Sequence, residues 1–309
     1  MKIHPAGVDI HDMQYLRPTR KDLAVGLVYF NCTKSKRLMM NYLYMTDKLR
    51  RANIPYYTLE MHLQDEEPQI IDAIHLTTDF IFYQSERLYR VLESHIPKYF
   101  TKIVYLDADV VFDNPNWYND LSDKLDQYNI VQPFETAKWL DLTYKNVYFQ
   151  KKTAALIDNN HECKRIFDNY HDGFAWGFQR KWYQTVGFYE HDILGYSHRI
   201  SVIMWLNVKN YSDVYCPPYN NSMIDEFKSK LQNNMPTIGY LQGTTIYSLY
   251  HGSYKNRRYR NVWKILKSVK DIRDIIYTDT NGVFRLKPSG YKYKSRLSKY
   301  FIDRDDDSL

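Results

Sequence analysis

Apolar positions in the first 135 residues fall into short runs and helical stripes that alternate. Residues 23–30 (LAVGLVYF) are apolar without interruption, which predicts a strand buried on both faces. Over 36–53 the period becomes helical, with Leu38, Tyr42, Met45 and Leu49 on one side. A strand is predicted at 54–61, led in by Pro55, and a short one at 70–76. Residues 85–96 are amphipathic through Leu88, Val91 and Leu92 and stop before Pro97. A strand at 103–106, a helix over 117–127 and a strand at 130–134 follow. This alternation predicts βαβ units and one open α/β sheet built on parallel strands.

The second half is less regular. A strand is expected at 173–180 (GFAWGFQR), a helix at 198–208, a loop at Cys216-Pro217-Pro218, and a strand at 247–251 running into HGSYKNRR. No repeat or low-complexity linker divides the chain, so residues 1–278 are expected to form one domain. Beyond Asp279 the sequence is polar, and disorder is expected after Phe301.

Composition narrows the function classes. With 309 residues, 44% apolar and 25% charged, the chain can bury a large core. Its 30 tyrosines suit sugar contacts, since an aromatic face packs on C–H groups while the hydroxyl bonds; drift in an A/T-rich genome explains them equally well. Cys32, Cys163 and Cys216 are odd in number and lack metal-ligand spacing, which points to a reducing compartment and hence the cytoplasm. No signal-peptide core or membrane-length apolar run is evident. Residues 251–300 carry 14 Lys and Arg against 3 Asp and Glu, and 301–309 one Arg against four Asp. A diphosphate site, a nucleic acid or an acidic membrane surface would each account for that basic tail, which leaves peripheral membrane contact open. No RNA-binding signature accompanies it, so nucleic acid is not the expected partner.

The most informative segment is KIVYLDADVVF, 102–112. An apolar run leads into Asp107 and Asp109, one residue apart, and apolar residues follow. Carboxylates between apolar flanks are costly unless a cation or strong donors neutralise them. Beyond the carboxyl end of a strand is where open α/β sheets bind ligands, and residues i and i+2 of an extended segment share a face. Oxygen ligation suits Mg²⁺ or Mn²⁺ bridging a diphosphate. The competing reading is turn chemistry with Asp113, Asn114 and Pro115.

With these residues in view, the sequence resembles the GT-A-fold nucleotide-sugar glycosyltransferases of the DxD type, in particular the glycogenin and galactosyltransferase group. VYLDADVVFDNP resembles their strand and DxD segment, GFAWGFQRKWYQTVGFYEHDILG their acceptor-side segment, and YHGSYKNRR their late His-Gly segment. The resemblance covers about 23–268. It implies an open mixed sheet flanked by helices, with a Rossmann-like nucleotide-sugar half at about 23–135, an acceptor half at about 136–268, and a tail at 279–309. Asp107 matches a contact to donor ribose or metal, Asp109 a metal ligand, His251 a third metal contact, and Lys255 a basic residue near the donor phosphate. Phe30 and Asn31 fall where the nucleobase is seated. Arg87 could reach phosphate or form a helix-surface salt bridge, and Trp176 and Trp182 could stack on acceptor sugar or pack in the core.

One departure matters. Where related enzymes place an acidic residue after the second segment, this chain reads Gly195-Tyr196-Ser197-His198. The base of an inverting transfer then falls to Asp192 first and His198 second, with Glu190 nearby. The expectation is a metal-dependent hexosyltransferase using Mn²⁺ or Mg²⁺, a UDP-sugar donor before a GDP-sugar, and a carbohydrate or glycoprotein acceptor. The alternative is a catalytically inactive carbohydrate- or nucleotide-binding protein of the same fold.

Overall fold

The computed structural model describes residues 4–7, 9–157, 166–208, 221–253 and 262–308. Among them the larger sheet has seven strands, in the order β12 (Ile238–Tyr240), β7 (Ile130–Gln132), β11 (Ala175–Gln179), β5 (Lys102–Leu106), β2 (Leu23–Tyr29), β3 (Tyr56–Leu63), β4 (Ile74–Thr78). The four strands β5, β2, β3 and β4 run parallel. β11 is antiparallel to both neighbours, so the sheet is mixed rather than wholly parallel. A second sheet takes β1 (His4–Pro5), β9 (Asn146–Thr153), β8 (Thr136–Leu140), β13 (Thr245–Ser248) and β6 (Val110–Phe112) in line, with β10 (Tyr170–His171) on β9. The result is the expected open mixed α/β sheet flanked by helices. Strands from the two expected halves interleave: β11 is inserted between β5 and β7, and β13 pairs with β6 and β8.

Local chemistry explains the central elements. β2 is buried on both faces, as its unbroken apolar run requires. Helix α1 (Lys36–Arg51) starts at Ser35, whose side chain accepts from Leu38 N, and buries Tyr42, Met45 and Leu49 on one side of the sheet. Helix α2 (Ser85–His95) buries Leu88, Tyr89 and Leu92 on the other side. At Gly26 in β2, a Cβ would lie 2.7 Å from the Tyr105 ring; only glycine lets that ring pack against the strand. Arg180, 7% exposed, opens helix α5 (Arg180–Thr185) and donates to Glu93 Oε1 at 2.6 Å and to the carbonyls of Glu93, Ile96, Pro97 and Phe100. That cluster caps the end of α2 and ties the β11–α5 corner to it.

The strands predicted at 54–61, 70–76 and 247–251 are displaced by two to four residues, to 56–63, 74–78 and 245–248. Between β11 and the last sheet strands lie helices α6 (Ser197–Trp205) and α7 (Asn221–Gln232). After them come a hairpin of β14 (Ile276–Thr278) and β15 (Phe284–Leu286), then helix α8 (Lys294–Ile302); α4 (Ile166–Asn169) precedes β10. Residues 303–308, for which disorder was expected, are packed against α1 and the 250–253 segment. Cys163, Cys216 and the expected loop at 216–218 lie outside the described residues.

Candidate active site

The chain passes from the larger sheet to the second one at Asp107-Ala108-Asp109, between the end of β5 and the start of β6. Backbone bonds fix this crossing on both sides. Asp107 N donates to Phe174 O at 2.8 Å, and Leu249 N donates to Asp109 O at 2.8 Å. Phe174 has φ 70°, an uncommon conformation for a bulky residue, which the surrounding contacts must hold in place. Two strained or costly features, the paired carboxylates and the left-handed Phe174, therefore meet at one point.

They meet on the wall of a cavity of about 740 Å³. Asp107 and Asp109 line it, as do Phe30 from the end of β2 and His251 from the end of β13. His251 is 6% exposed, and its Nδ1 lies 2.8 Å from Asp109 Oδ2 and 2.9 Å from Leu249 O. A proton on Nδ1 satisfies both acceptors and leaves Nε2 as the basic nitrogen of the ring. Three of the residues chosen from sequence as metal contacts thus line one cavity, from segments far apart in the chain.

Other expected site residues are placed elsewhere. Asn31 is 4% exposed; its amide donates to Tyr29 Oη, Ser35 O and Gln69 Oε1, and its Oδ1 accepts from Ser35 N, so it organises the β2–α1 turn instead of reaching a base. Arg87 turns away from the cavity and donates to Gly282 O at 2.6 Å and Glu190 Oε2 at 2.9 Å, the salt-bridge reading. Asp192 is fully buried; its Oδ2 accepts from Leu194 N at 3.0 Å and Tyr196 N at 2.6 Å, the bonds of a turn-forming aspartate. Trp176 (1% exposed) and Trp182 (8%) lie in the core, with their indole N–H groups on Asp172 O and Asn234 O. Lys255 lies outside the described residues.

His198 does line the cavity, but as a cation. Its Nδ1 is 3.0 Å from Glu86 Oε1, and Glu86 is 1% exposed. Burial alone would lower the His198 pKa; the Glu86 carboxylate outweighs it, with Asp107 and Asp172 adding, and the value rises to about 9. At neutral pH the imidazole is therefore protonated and has no lone pair with which to deprotonate an acceptor. Beside it, Asp172 accepts from Arg199 Nε at 2.8 Å, and Arg199 and His171 bring its pKa down to about 2 despite burial. Burial pushes His171 to about 3, so it is neutral, and among the described residues its buried Nε2 has no hydrogen-bond partner.

Sequence reasoning missed the aromatic part of the wall. Trp139 on β8 packs against Phe149, His171 and Phe174, with centroids at 5.0, 4.8 and 4.8 Å, and all four line the cavity. Glu86 was also missed, though it carried a signal: with Tyr89 and Glu93 it places a carboxylate on the buried side of α2.

The donor set suits a divalent cation. Among the described residues no three His, Cys, Asp or Glu side chains converge on a single ion position. Asp107, Asp109 and His251 nonetheless present oxygens and an imidazole to one cavity. Mg²⁺ and Mn²⁺ are commonly held in this way, by one or two carboxylates with substrate phosphates and water, and not by a closed protein cage.

No family model matches the sequence, and no curated protein matches it. Among solved structures, the chain is similar to a mutant of Drosophila β1,4-galactosyltransferase 7 in complex with manganese, UDP-Gal and xylobiose: 12% identity, 88% of this chain and 98% of that one, TM-score 0.41. It is also similar to the catalytic domain of the Drosophila enzyme with xylobiose, at 11% identity over 72% of this chain, TM-score 0.35; there it spans 66% of that chain, just under two thirds. A third similarity is to GalNAc-T7 with UDP, GalNAc and Mn²⁺, at 10% identity over 74% of this chain and 43% of that one, TM-score 0.36. Among the described residues, no helix is long and apolar enough to cross a membrane.

Proposed function

We propose that the protein is a metal-assisted glycosyltransferase that moves a hexose from a UDP- or GDP-sugar to a sugar or protein acceptor. The observation that carries this reading is the meeting of Asp107, Asp109 and His251 on one cavity wall, at the crossing between the two sheets. Its volume of about 740 Å³ is of the size that holds a nucleotide-sized ligand. Asp109 and His251, with Asp107, would hold the cation. When bound, that cation supplies Lewis-acid stabilisation of the charge on the leaving diphosphate. The His198 imidazolium, kept protonated by Glu86, adds a fixed positive charge in the same cavity. Trp139, Phe149 and Phe174 offer aromatic faces for the acceptor sugar, the role expected of Trp176 and Trp182.

A screen of nucleotide-sugars for Mn²⁺- or Mg²⁺-dependent release of UDP or GDP tests the proposal. Release that depends on both donor and metal supports it; absence of release with every donor, metal and acceptor class removes it. A second reading is favoured by a specific feature. His198 is cationic, the Asp172 carboxyl is paired to Arg199 and held at about 2, and Asp192 has its Oδ2 taken up by two backbone amides of a turn, so none of the three is placed as a general base. A protein that binds nucleotide-sugars without transferring them would have this wall, and tight titration of UDP-sugars without turnover would identify it.

A further inference from the structure

Helix α8 and the segment behind it belong to the cavity. Tyr300, Phe301, Arg304 and Asp306 line the same space as Asp107, Asp109 and His251. The Phe301 ring meets the Phe30 ring edge to face, with centroids 6.4 Å apart. The segment is tied down on two sides. Toward α1, Asp307 Oδ1 accepts from Ser35 Oγ at 2.6 Å and Arg37 N at 2.9 Å, and Oδ2 from Lys36 N at 3.1 Å. Toward His251, Tyr250 Oη donates to Ser308 O at 3.0 Å and Ser253 N to Ser308 Oγ at 3.3 Å. Gly252 leaves just enough room: a Cβ there would fall 2.5 Å from Asp305 O.

We propose that residues 300–308 form a strap that completes the ligand cavity, with Phe301 and Arg304 contacting the bound nucleotide and Asp307 as the positioning residue that holds the strap in place. The inference rests on the reading that the ligand is a nucleoside diphosphate sugar. Three features give the strap this role. The cavity keeps about 740 Å³ beside it, so the strap is a wall and does not fill the space a ligand needs. Phe30 and Phe301 supply two aromatic rings at one end of the cavity, which suit a planar base, and Arg304 supplies a guanidinium, which suits phosphate. The anchor is charge-assisted but exposed: three donors, two of them first-turn amides of α1, converge on one carboxylate at the surface, and the apolar hold comes from Phe301, 8% exposed against Phe30, while Ile302 is 64% exposed. Such an anchor closes the segment and still lets it open for ligand entry.

The test uses the full chain, with UDP and GDP as probes in isothermal titration and with hydrogen–deuterium exchange over 300–308. Asp307→Ala removes the anchor, and α1 keeps its Ser35 cap, so the fold is retained. Expected are faster exchange over 300–308, nucleotide binding weaker on the order of tenfold, and a Tm within about 2 °C of the parent. Asp307→Asn, which keeps one acceptor oxygen, should restore part of the affinity. Phe301→Leu should weaken nucleotide binding without changing Asp307-dependent exchange. Unchanged or tighter nucleotide binding in Asp307→Ala, or exchange equal to the parent, overturns the strap. Failure of the parent protein to bind either nucleotide is a different result: it removes the donor reading itself, and the strap's role falls with it.

Discussion

His251 Nδ1 sits 2.8 Å from Asp109 Oδ2, joining the segment after β13 to the segment after β5. The contact orients both groups: it fixes the plane of the Asp109 carboxylate and turns the Nε2 edge of the imidazole away from Asp109. Metal-binding histidines are commonly steered through their second nitrogen in this way.

Replacing Asp109 by Asn keeps its size and removes its charge. Asp109→Asn is expected to reduce Mn²⁺-stimulated nucleotide release by about a hundredfold or more, with urea unfolding close to the parent. Release rates measured against Mn²⁺ concentration check this; an undiminished metal response in the variant would falsify the assignment of Asp109.

His251→Ala acts on affinity more than on the fold. The segment around it is held by the bonds of Leu249 N to Asp109 O and of Asn41 to Tyr250 O, and a water in place of the imidazole would bind the cation more weakly. The Mn²⁺ concentration for half-maximal activity is expected to rise by about 10- to 100-fold. A variant that melts early yet responds to metal like the parent would make the histidine structural.

How far these residues were legible in the sequence follows from the physics of each. Asp107 and Asp109 stood out because two charges interrupt an apolar run, which costs free energy anywhere but at a site. β2 and α1 were legible because burial on two faces, or on one helical side, imposes a period. β8 and β9 were not read: they pair with each other as near neighbours, but Lys138, Lys151 and Lys152 break up their apolar positions, and β13, the other partner of β8, lies far along the chain. Asp192 and His198 were chosen by residue type, which does not tell a turn-forming carboxylate from a free one, or a neutral imidazole from a paired cation. Only the neighbours do: the amides of Leu194 and Tyr196 in one case, Glu86 in the other.

The aromatic wall separates binding from stability. Trp139 is half-buried on the cavity side of β8, whereas Trp176 is 1% exposed in the core. Trp139→Ala should raise the acceptor KM several-fold and leave the donor KM and Tm little changed. Trp176→Ala should instead destabilise by about 3–5 kcal/mol. Paired urea titrations and acceptor-dependent kinetics distinguish these outcomes; the reverse pattern would return acceptor contact to Trp176.

The Glu86–His198 pair predicts how stability depends on pH. In the unfolded chain a histidine titrates near its ordinary value of about 6.5; in the fold His198 is raised to about 9. A raised pKa means that the folded state binds the proton more tightly. The stabilisation is then fully present below about pH 6.5 and is lost as pH rises through about 9. A shift of this size corresponds to a few kcal/mol, about 1.4 for each pH unit, and is the balance of two opposed effects, burial against the neighbouring carboxylates, Glu86 foremost. Urea midpoints measured from pH 6 to pH 10 should therefore fall across that window. Glu86→Gln removes the charge while keeping the shape, so burial is then opposed only by the weaker pull of Asp107 and Asp172, and the His198 pKa should drop well below the parent's. The fall between pH 6.5 and 9 should largely disappear in the variant. If nucleotide release needs the imidazolium, its rate in the parent should decline above about pH 9, and in Glu86→Gln the decline should move to lower pH. An alkaline limb that stays in place in the variant, with a stability profile like the parent's, would mean that Glu86 does not set the charge of His198.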